Sequence, residues 1–194
     1  MTCRIGILLA AGQGRRMGRF KQLLPWRTSQ GDKPLVVASF DAVSDACDQM
    51  VVVVGHRAEE VVRVLAPRRF IQVKSDTERP MFESVRAGLS ETARIDDQAA
   101  ALIQPADHPE VSANTLRELF ELADENPQQV VLPEFDGQGG HPVLIPAEVI
   151  HQLVDWPGDG GLRQFWRDNP QLCLRLTVND PGVVHDLDTP RDFS

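Results

Sequence analysis

The strongest constraint on the fold is an alternation along the chain: short apolar runs rich in β-branched residues are followed by segments with helical spacing. This alternation is typical of βαβ units built around a mainly parallel sheet. The run Met50–Val54 is apolar without a break, as expected for a strand buried on both faces. The pattern therefore predicts an α/β fold with a mainly parallel central sheet.

The 194 residues are enough to bury one sizeable core, so we predict a single domain over 1–194. Strands are predicted at Arg4–Ala10, Met50–Val54, Phe70–Val73, Ala99–Gln104, Gln129–Leu132, Pro142–Ile145, Leu172–Val178 and Val183–Leu187. Helices are predicted at Leu35–Ala46, Ala58–Leu65, Met81–Thr92, after Ser112, at Ala147–Val154 and at Leu162–Asn169.

Charge and composition exclude several classes of protein. The formal net charge of -8 argues against general binding to nucleic acid or to an anionic membrane. The three cysteines are far apart and lack Cys-x-x-Cys spacing, so we expect reduced thiols. The apolar run Ile5–Ala11 is short and has no basic leader, and no run reaches the roughly 20 residues that span a bilayer. We expect a cytoplasmic protein.

The segment after the first predicted strand combines glycines with cations. Its residues of these two kinds are Gly12, Gly14, Arg15, Arg16, Gly18, Arg19 and Lys21. Glycines let backbone amides approach phosphates, and the cations suit a triphosphate. A basic surface turn and a dinucleotide-binding fingerprint are the alternatives. The fingerprint fits poorly, because three residues separate the last two glycines and Gly55-His56-Arg57 follows the next strand where an acidic residue is needed.

The motif Leu-Ala-Ala-Gly-x-x-x-Arg-Met-Gly at 9–18, followed by Lys21, resembles the nucleotide-binding signature of MobA-like NTP transferases. Within that family the chain is most similar to molybdenum cofactor cytidylyltransferases. Further motifs continue the resemblance in order over nearly the whole chain: they lie at 31–35, 51–56, 84–89, 140–144 and 186–192.

The resemblance implies a three-layer, Rossmann-like nucleotidyltransferase fold and transfer of a nucleotidyl group with release of pyrophosphate. It implies CTP as the nucleotide, because the loop is closer to the cytidylyltransferase version than to the guanylyltransferase one. The implied nucleotide-binding residues are Leu9, Ala10, Ala11, Gly12, Gly14, Arg15, Arg16, Lys21 and Ser84.

Two acidic residues are candidate ligands for Mg²⁺. Asp107 follows the strand predicted at Ala99–Gln104, where open α/β sheets bind ligands, although it could simply cap a turn between two prolines. Asp188 precedes Thr189-Pro190 and could equally be a helix N-cap. The resemblance implies that both bind the metal and that Arg16, Lys21 and Asp107 are catalytic. We expect the two carboxylates to lie side by side, which would raise the pKa of one of them.

Lys33 and His141 are the residues for which the resemblance implies contact with the acceptor, although a surface charge and a structural histidine are the simpler interpretations. The chain departs from the family at Arg79–Ser84 and at Ala106 and His108, which puts base preference and activity in question.

The implied acceptor is a small phosphorylated molecule, with molybdopterin first and a molybdoenzyme or its chaperone as a protein partner. A sugar- or alditol-phosphate nucleotidyltransferase and a non-catalytic nucleotide- or cofactor-binding chaperone remain alternatives.

Overall fold

A computed structural model describes residues 2–12, 20–29, 31–76 and 78–187. Within these ranges the strands are β1 Arg4–Ala10, β2 Pro25–Thr28, β3 Gly31–Pro34, β4 Gln49–Val54, β5 Ile71–Lys74, β6 Ala100–Pro105, β7 Val130–Phe135, β8 Gln138–Gly139, β9 Val143–Ile145 and β10 Cys173–Thr177. The helices are α1 Leu35–Ser44, α2 Ala58–Leu65, α3 Met81–Ile95, α4 Ala113–Glu125, α5 Ala147–Asp155 and α6 Gly161–Asp168. None of these helices is long and apolar enough to cross a membrane.

The main sheet has the strand order β10-β7-β9-β6-β1-β4-β5, and β8 pairs with β7 at its margin. The pairs of β1 with β4, β1 with β6, β4 with β5 and β10 with β7 are parallel, whereas β9 runs antiparallel to both β6 and β7. The carboxyl ends of β1, β4, β5, β6, β7 and β10 therefore share one edge. The start of β9 lies at that edge too, because β9 runs the opposite way.

Two apolar clusters, one on each face of the sheet, make the fold three-layered. One joins α1, α2 and α4 to the strands and includes Leu8, Phe40 and Leu119. The other joins α3, α5 and α6 and includes Ile7 and Phe165. Successive strand residues point to opposite faces, so a strand with helices on both sides must be apolar throughout. The predicted three-layer fold with a mainly parallel sheet is confirmed.

The predicted strand at Val183–Leu187 is wrong. Asp180 accepts a hydrogen bond from the backbone N–H of Gly182 at 3.0 Å and starts a 3-10 turn at Pro181–Val183. An irregular segment follows, and its Leu187 N–H donates to the carbonyl of Asp107 at 3.2 Å. Val183 and Leu187 are fully buried, and these apolar residues gave the segment a strand-like pattern.

A two-stranded antiparallel hairpin was not predicted from the sequence. Strands β2 and β3 pair Pro25 with Pro34 and Thr28 with Gly31. The short, polar strands bounded by prolines lack the alternating apolar pattern that identifies a half-buried strand. Gly31 has a φ of 101°, which a glycine adopts without strain at the end of the turn.

Helix α3 lies very close to the sheet at Gly88. A β-carbon on Gly88 would lie 2.6 Å from Cγ2 of Ile7 and 3.2 Å from Cγ2 of Val53. Both neighbours are fully buried, β-branched residues of central strands, so neither methyl group can easily move away. The missing side chain at Gly88 thus sets the distance between α3 and β1.

We predict that Gly88→Ala destabilises the protein. Helix propensity alone would favour alanine by about 1 kcal/mol, but overpacking of a rigid core costs about 1–3 kcal/mol. The expected net effect is a lower urea midpoint. Ser90→Ala is the matched control, because Ser90 is exposed on the same helix and should keep or raise the midpoint. A Gly88→Ala variant as stable as Ser90→Ala would contradict the close packing.

Candidate active site

A cleft of about 1580 Å³ runs along the carboxyl edge of the sheet. Its lining comes from the segments that follow β1, β5, β6 and β7, and from the start of α6. Because parallel strands end at the same edge, their following loops meet there. The volume exceeds the roughly 300–1,000 Å³ usual for one small-molecule site, so two substrates can share this cleft.

The charged pair Lys21–Asp107 lies in this cleft. The Nζ atom of Lys21 is 2.7 Å from Oδ2 of Asp107, and the two side chains are only 14% and 22% exposed. Lys21 begins the 3-10 turn Lys21–Leu23, and Asp107 follows β6. Strands β1 and β6 are parallel neighbours, with Leu9 opposite Pro105. Their register therefore brings the cation and the carboxylate together.

Hydrogen bonds fix the backbone on both sides of Asp107. The buried hydroxyl of Ser39 donates to the carbonyl of Ala106 at 2.9 Å, and the amide of Ala106 donates to the carbonyl of Leu9 at 3.1 Å. The side-chain amide of Gln104 donates to the carbonyl of His108. These contacts hold the Asp107 carboxylate in place before any ligand arrives, which favours a preorganised site.

Two histidines border the carboxylate. Nδ1 of His108 is 3.0 Å from Oδ1 of Asp107, and the rings of His108 and His141 meet edge to face with centroids 5.2 Å apart. His141 lies just before β9, and its backbone N–H donates to the carbonyl of Val183 at 2.7 Å. Burial of the ring, together with the nearby His108, lowers the pKa of His141 to about 4. His141 is therefore neutral at pH 7.

Asp107 does not have the raised pKa that two adjacent carboxylates would produce. Burial by itself would raise the pKa of Asp107, but the hydrogen bond with His108 and the charge and hydrogen bond of Lys21 outweigh it and hold the pKa far below its usual range. Asp107 faces two donors and so is not the carboxylate with the raised pKa, and Asp188, the other one of the expected pair, lies outside the described residues. Asp107 is consequently ionised at neutral pH.

Carboxylate oxygens in the cleft make a partial site for a hard cation. Asp107 and Asp186 both line the cleft, and the adjacent Leu187 is hydrogen-bonded to the backbone of Asp107. Asp188, the second predicted ligand, lies outside the described residues. Among the residues that are described, no three acidic, histidine or cysteine side chains form a metal-binding group. Any cation here would take few protein ligands and complete its shell with phosphate and water, as Mg²⁺ commonly does.

The predicted nucleotide-binding residues divide into three groups. Leu9, Ala11, Gly12, Lys21 and Ser84 line the cleft. Ala10 is fully buried in the apolar cluster beneath α1 and does not face the cleft. Gly14, Arg15 and Arg16 lie outside the described residues.

Of the two predicted acceptor residues, His141 lines the cleft and Lys33 does not. Nζ of Lys33 is 2.9 Å from Oδ2 of Asp41, whose carboxylate also receives two hydrogen bonds from Arg68. Lys33 lines a separate depression of about 420 Å³. This place beside α1 favours the simpler interpretation of Lys33 as a structural charge.

Sequence reasoning missed several lining residues. Gln22 is buried and donates from its side chain to the carbonyl of Gly12 at 3.3 Å. Arg163, Trp166 and Arg167 line the cleft from α6. The signal for α6 was present in the spacing i, i+3, i+4 of three large residues, but only the fold shows which side of the helix faces the cleft.

Residues 6–173 match the family described as the MobA-like NTP transferase domain. The chain belongs to this family. Its nucleotidyltransferase character agrees with the placement of the cleft, the fold and the Lys21–Asp107 pair.

Relatives extend the match over nearly the full chain. A nicotine blue oxidoreductase from Paenarthrobacter nicotinovorans is 30% identical over 97% of this chain and 94% of that protein. The molybdenum cofactor cytidylyltransferase of Escherichia coli (strain K12) is 24% identical over 96% of this chain and 92% of that protein. The crystal structure of Rv0371c from Mycobacterium tuberculosis H37Rv superposes with a TM-score of 0.80 at 28% identity, covering 99% of this chain and 96% of that one.

We predict that His141 makes stability fall in mild acid. Its folded-state pKa is about 4, below the ordinary value of 6.5, so the unfolded chain takes up the proton first as the pH falls. The stabilisation is complete above pH 6.5 and is lost between pH 6.5 and 4. A shift of this size corresponds to at most about 3 kcal/mol.

Urea unfolding at pH 7.0, 5.5 and 4.5 measures this loss. His141→Gln should flatten the profile in that window. His151→Gln, which removes an exposed histidine of α5, should retain the wild-type slope. Identical slopes for His141→Gln and wild type would show that His141 is not the group responsible.

Proposed function

We propose that this protein transfers a nucleotidyl group, CMP from CTP, to the phosphate of a small acceptor and releases pyrophosphate. Molybdopterin cofactor is the first candidate for the acceptor, because one full-length relative bears the name molybdenum cofactor cytidylyltransferase. Family membership supports the reaction class, and the acceptor is the finer part of the proposal.

The observation that carries the proposal is the Lys21–Asp107 pair between the loops after β1 and β6. A triphosphate needs a cation at its β- and γ-phosphates and an ionised carboxylate nearby to hold a metal. Lys21 and Asp107 meet both needs at one place, and the low pKa keeps Asp107 charged. Arg16 would add a second cation from the same loop.

In the proposed reaction an oxygen of the acceptor phosphate attacks the α-phosphorus of CTP in line. The new P–O bond forms as the bond from the α-phosphorus to the pyrophosphate oxygen breaks. The acceptor oxygen is already anionic, so no protein base is required. Lys21 and Arg16 stabilise charge on the departing pyrophosphate, which is electrostatic catalysis by prepositioned cations.

Asp107 is the described residue suited to hold Mg²⁺, and Asp188 is the proposed second ligand. Among the described residues Lys21 donates to Oδ2 of Asp107 and His108 to Oδ1, and a carboxylate oxygen offers a further lone pair. When bound, the cation would neutralise charge on the triphosphate. A site with so few protein ligands should depend on the nucleotide for its affinity.

An oxidoreductase is the second candidate, because a relative with 30% identity over nearly its whole length carries that name. Hydride transfer would require a dinucleotide or another electron carrier. Strand β4 is followed by Gly55, where a dinucleotide fold places an acidic residue for the ribose. Oxidation of NADH or NADPH by a quinone-like heterocycle would reveal this oxidoreductase activity. If the protein is a nucleotidyltransferase, we expect no such oxidation.

The direct test is pyrophosphate release from CTP with Mg²⁺, with and without molybdopterin. Acceptor-dependent release supports the transferase, whereas tight binding without turnover indicates a nucleotide-binding chaperone. A sugar-phosphate panel in the same assay covers the remaining transferase alternative.

We predict that Asp107→Asn lowers kcat about 10²–10³-fold while CTP affinity changes much less, because the lost charge acts mainly in the transition state. Asp41→Asn is the matched control. It alters another Lys–Asp contact, the one with Lys33 outside the cleft, and should keep turnover. Full Mg²⁺-dependent turnover by Asp107→Asn would exclude the carboxylate from the mechanism.

We also predict that CTP binds more tightly than GTP, on the basis of the segment Leu8–Gly12. Competition calorimetry in the presence of Mg²⁺ measures both affinities. A preference for GTP would contradict the cytidylyl assignment. It would indicate that the segment Arg79–Ser84, whose Pro80, Met81 and Ser84 line the cleft, selects the base.

A further inference from the structure

One face of helix α6 forms a wall of the cleft. Arg163, Trp166 and Arg167 are spaced i, i+3 and i+4 and all three line the cleft. That spacing places them next to one another on the helix surface. On the opposite side Phe165 is buried in the cluster beneath α3 and α5. Helix α6 therefore turns an aromatic ring flanked by two guanidinium groups toward the ligand space.

A row of rings connects Trp166 to the core. Trp166 meets Phe165 edge to face at 5.3 Å, Phe165 meets Trp156 at 5.3 Å, and Trp156 meets Phe82 of α3 at 5.0 Å. Arg86 lies over the Phe82 ring and donates to the carbonyl of Trp156 at 2.5 Å. Packing of this kind fixes the position of Trp166 in advance, so little side-chain entropy is lost when a ligand stacks on it.

The same end of the cleft is cationic although the whole chain is acidic. Arg163 makes no ion pair with any residue in the described ranges, and Arg167 has only the neutral Gln164 oxygen at 3.2 Å. Arg175 reaches the cleft from β10 and is balanced by Glu134 at 2.9 Å. Two cations of α6 thus lack a countercharge from the described protein.

Helix α6 leads through the 3-10 turn Pro170–Leu172 into β10, whose Arg175 also lines the cleft. Strand β10 lies at one margin of the sheet, three strands away from β6, while β1 lies on the other side of β6. Arg175 therefore lies on the side of Asp107 that is away from β1. Because Lys21, Asp107 and the three α6 residues line one cleft, a nucleotide at Lys21 and a second ligand at α6 can occupy it together.

We propose that Arg163, Trp166 and Arg167 form the acceptor subsite and that it takes a planar heteroaromatic molecule carrying a phosphate. The ring stacks on Trp166, and the guanidinium groups of Arg163 and Arg167 bind the phosphate through paired N–H donors. This inference rests on the proposed function and specifies its acceptor class. It favours a heteroaromatic acceptor over a sugar phosphate, because stacking on a fixed indole rewards a flat π-system.

Calorimetry with three probes tests the subsite without requiring turnover. The probes are pterin-6-ylmethyl phosphate, the same pterin without its phosphate, and glucose 1-phosphate. Trp166→Leu should weaken pterin phosphate binding about tenfold and leave glucose 1-phosphate unchanged, whereas Trp166→Phe should retain most of the affinity. The double variant Arg163→Gln/Arg167→Gln should weaken both phosphates and spare the unphosphorylated pterin.

Arg117→Gln is the matched control, because Arg117 is an exposed arginine on α4, in the opposite layer, and should bind all probes as wild type does. CTP affinity should be the same in every variant. Absent binding of pterin phosphate to wild type, tighter binding of glucose 1-phosphate, or an unaffected Trp166→Leu variant would each overturn the proposal.

Pyrophosphate release from the same preparations separates the two hypotheses. Wild type that binds pterin phosphate through Trp166 but never releases pyrophosphate would reject the transferase and keep the subsite. Release that proceeds equally well in Trp166→Leu and in the double arginine variant would keep the transferase and reject the subsite.

Discussion

The parallel pairing of β1 with β6 is the constraint on which the site depends. It brings the 3-10 turn that begins at Lys21 and the turn that holds Asp107 to one edge of the sheet. Burying either charge alone would be costly, whereas the pair with its 2.7 Å contact offsets that cost. Ser39 donates to the carbonyl of Ala106 and Gln104 donates to the carbonyl of His108. The backbone carbonyls on both sides of Asp107 are therefore hydrogen-bonded within the protein.

The sequence predicted the layers and the central strands because each of them depends on local periodicity. Met50–Val54 is apolar throughout since helices cover both faces of β4, and that requirement is visible in the residues themselves. Asp107 and Lys21 were also predictable, because the end of a parallel strand is a general place for ligands.

What could not be predicted depends on antiparallel or irregular segments. His141 lies beside His108 because the strand that follows it, β9, is antiparallel to β6. The residues near His141 do not specify the direction of that strand. Val183 and Leu187 are apolar because they are buried in an irregular segment, not because that segment pairs with a strand. The lowered pKa of Asp107 could not be predicted either, because only the fold shows that Lys21 and His108 donate to its carboxylate.

The residues Ala106 and His108, which depart from the family pattern, have a consistent physical role in this site. Ala106 is buried with its carbonyl bound by Ser39, so its β-carbon occupies core space beneath the cleft. His108 occupies Oδ1 of Asp107 and leaves Oδ2 to Lys21. The carboxylate and its two donors thus form a charged and oriented site, and the cleft that holds it is also lined by α6.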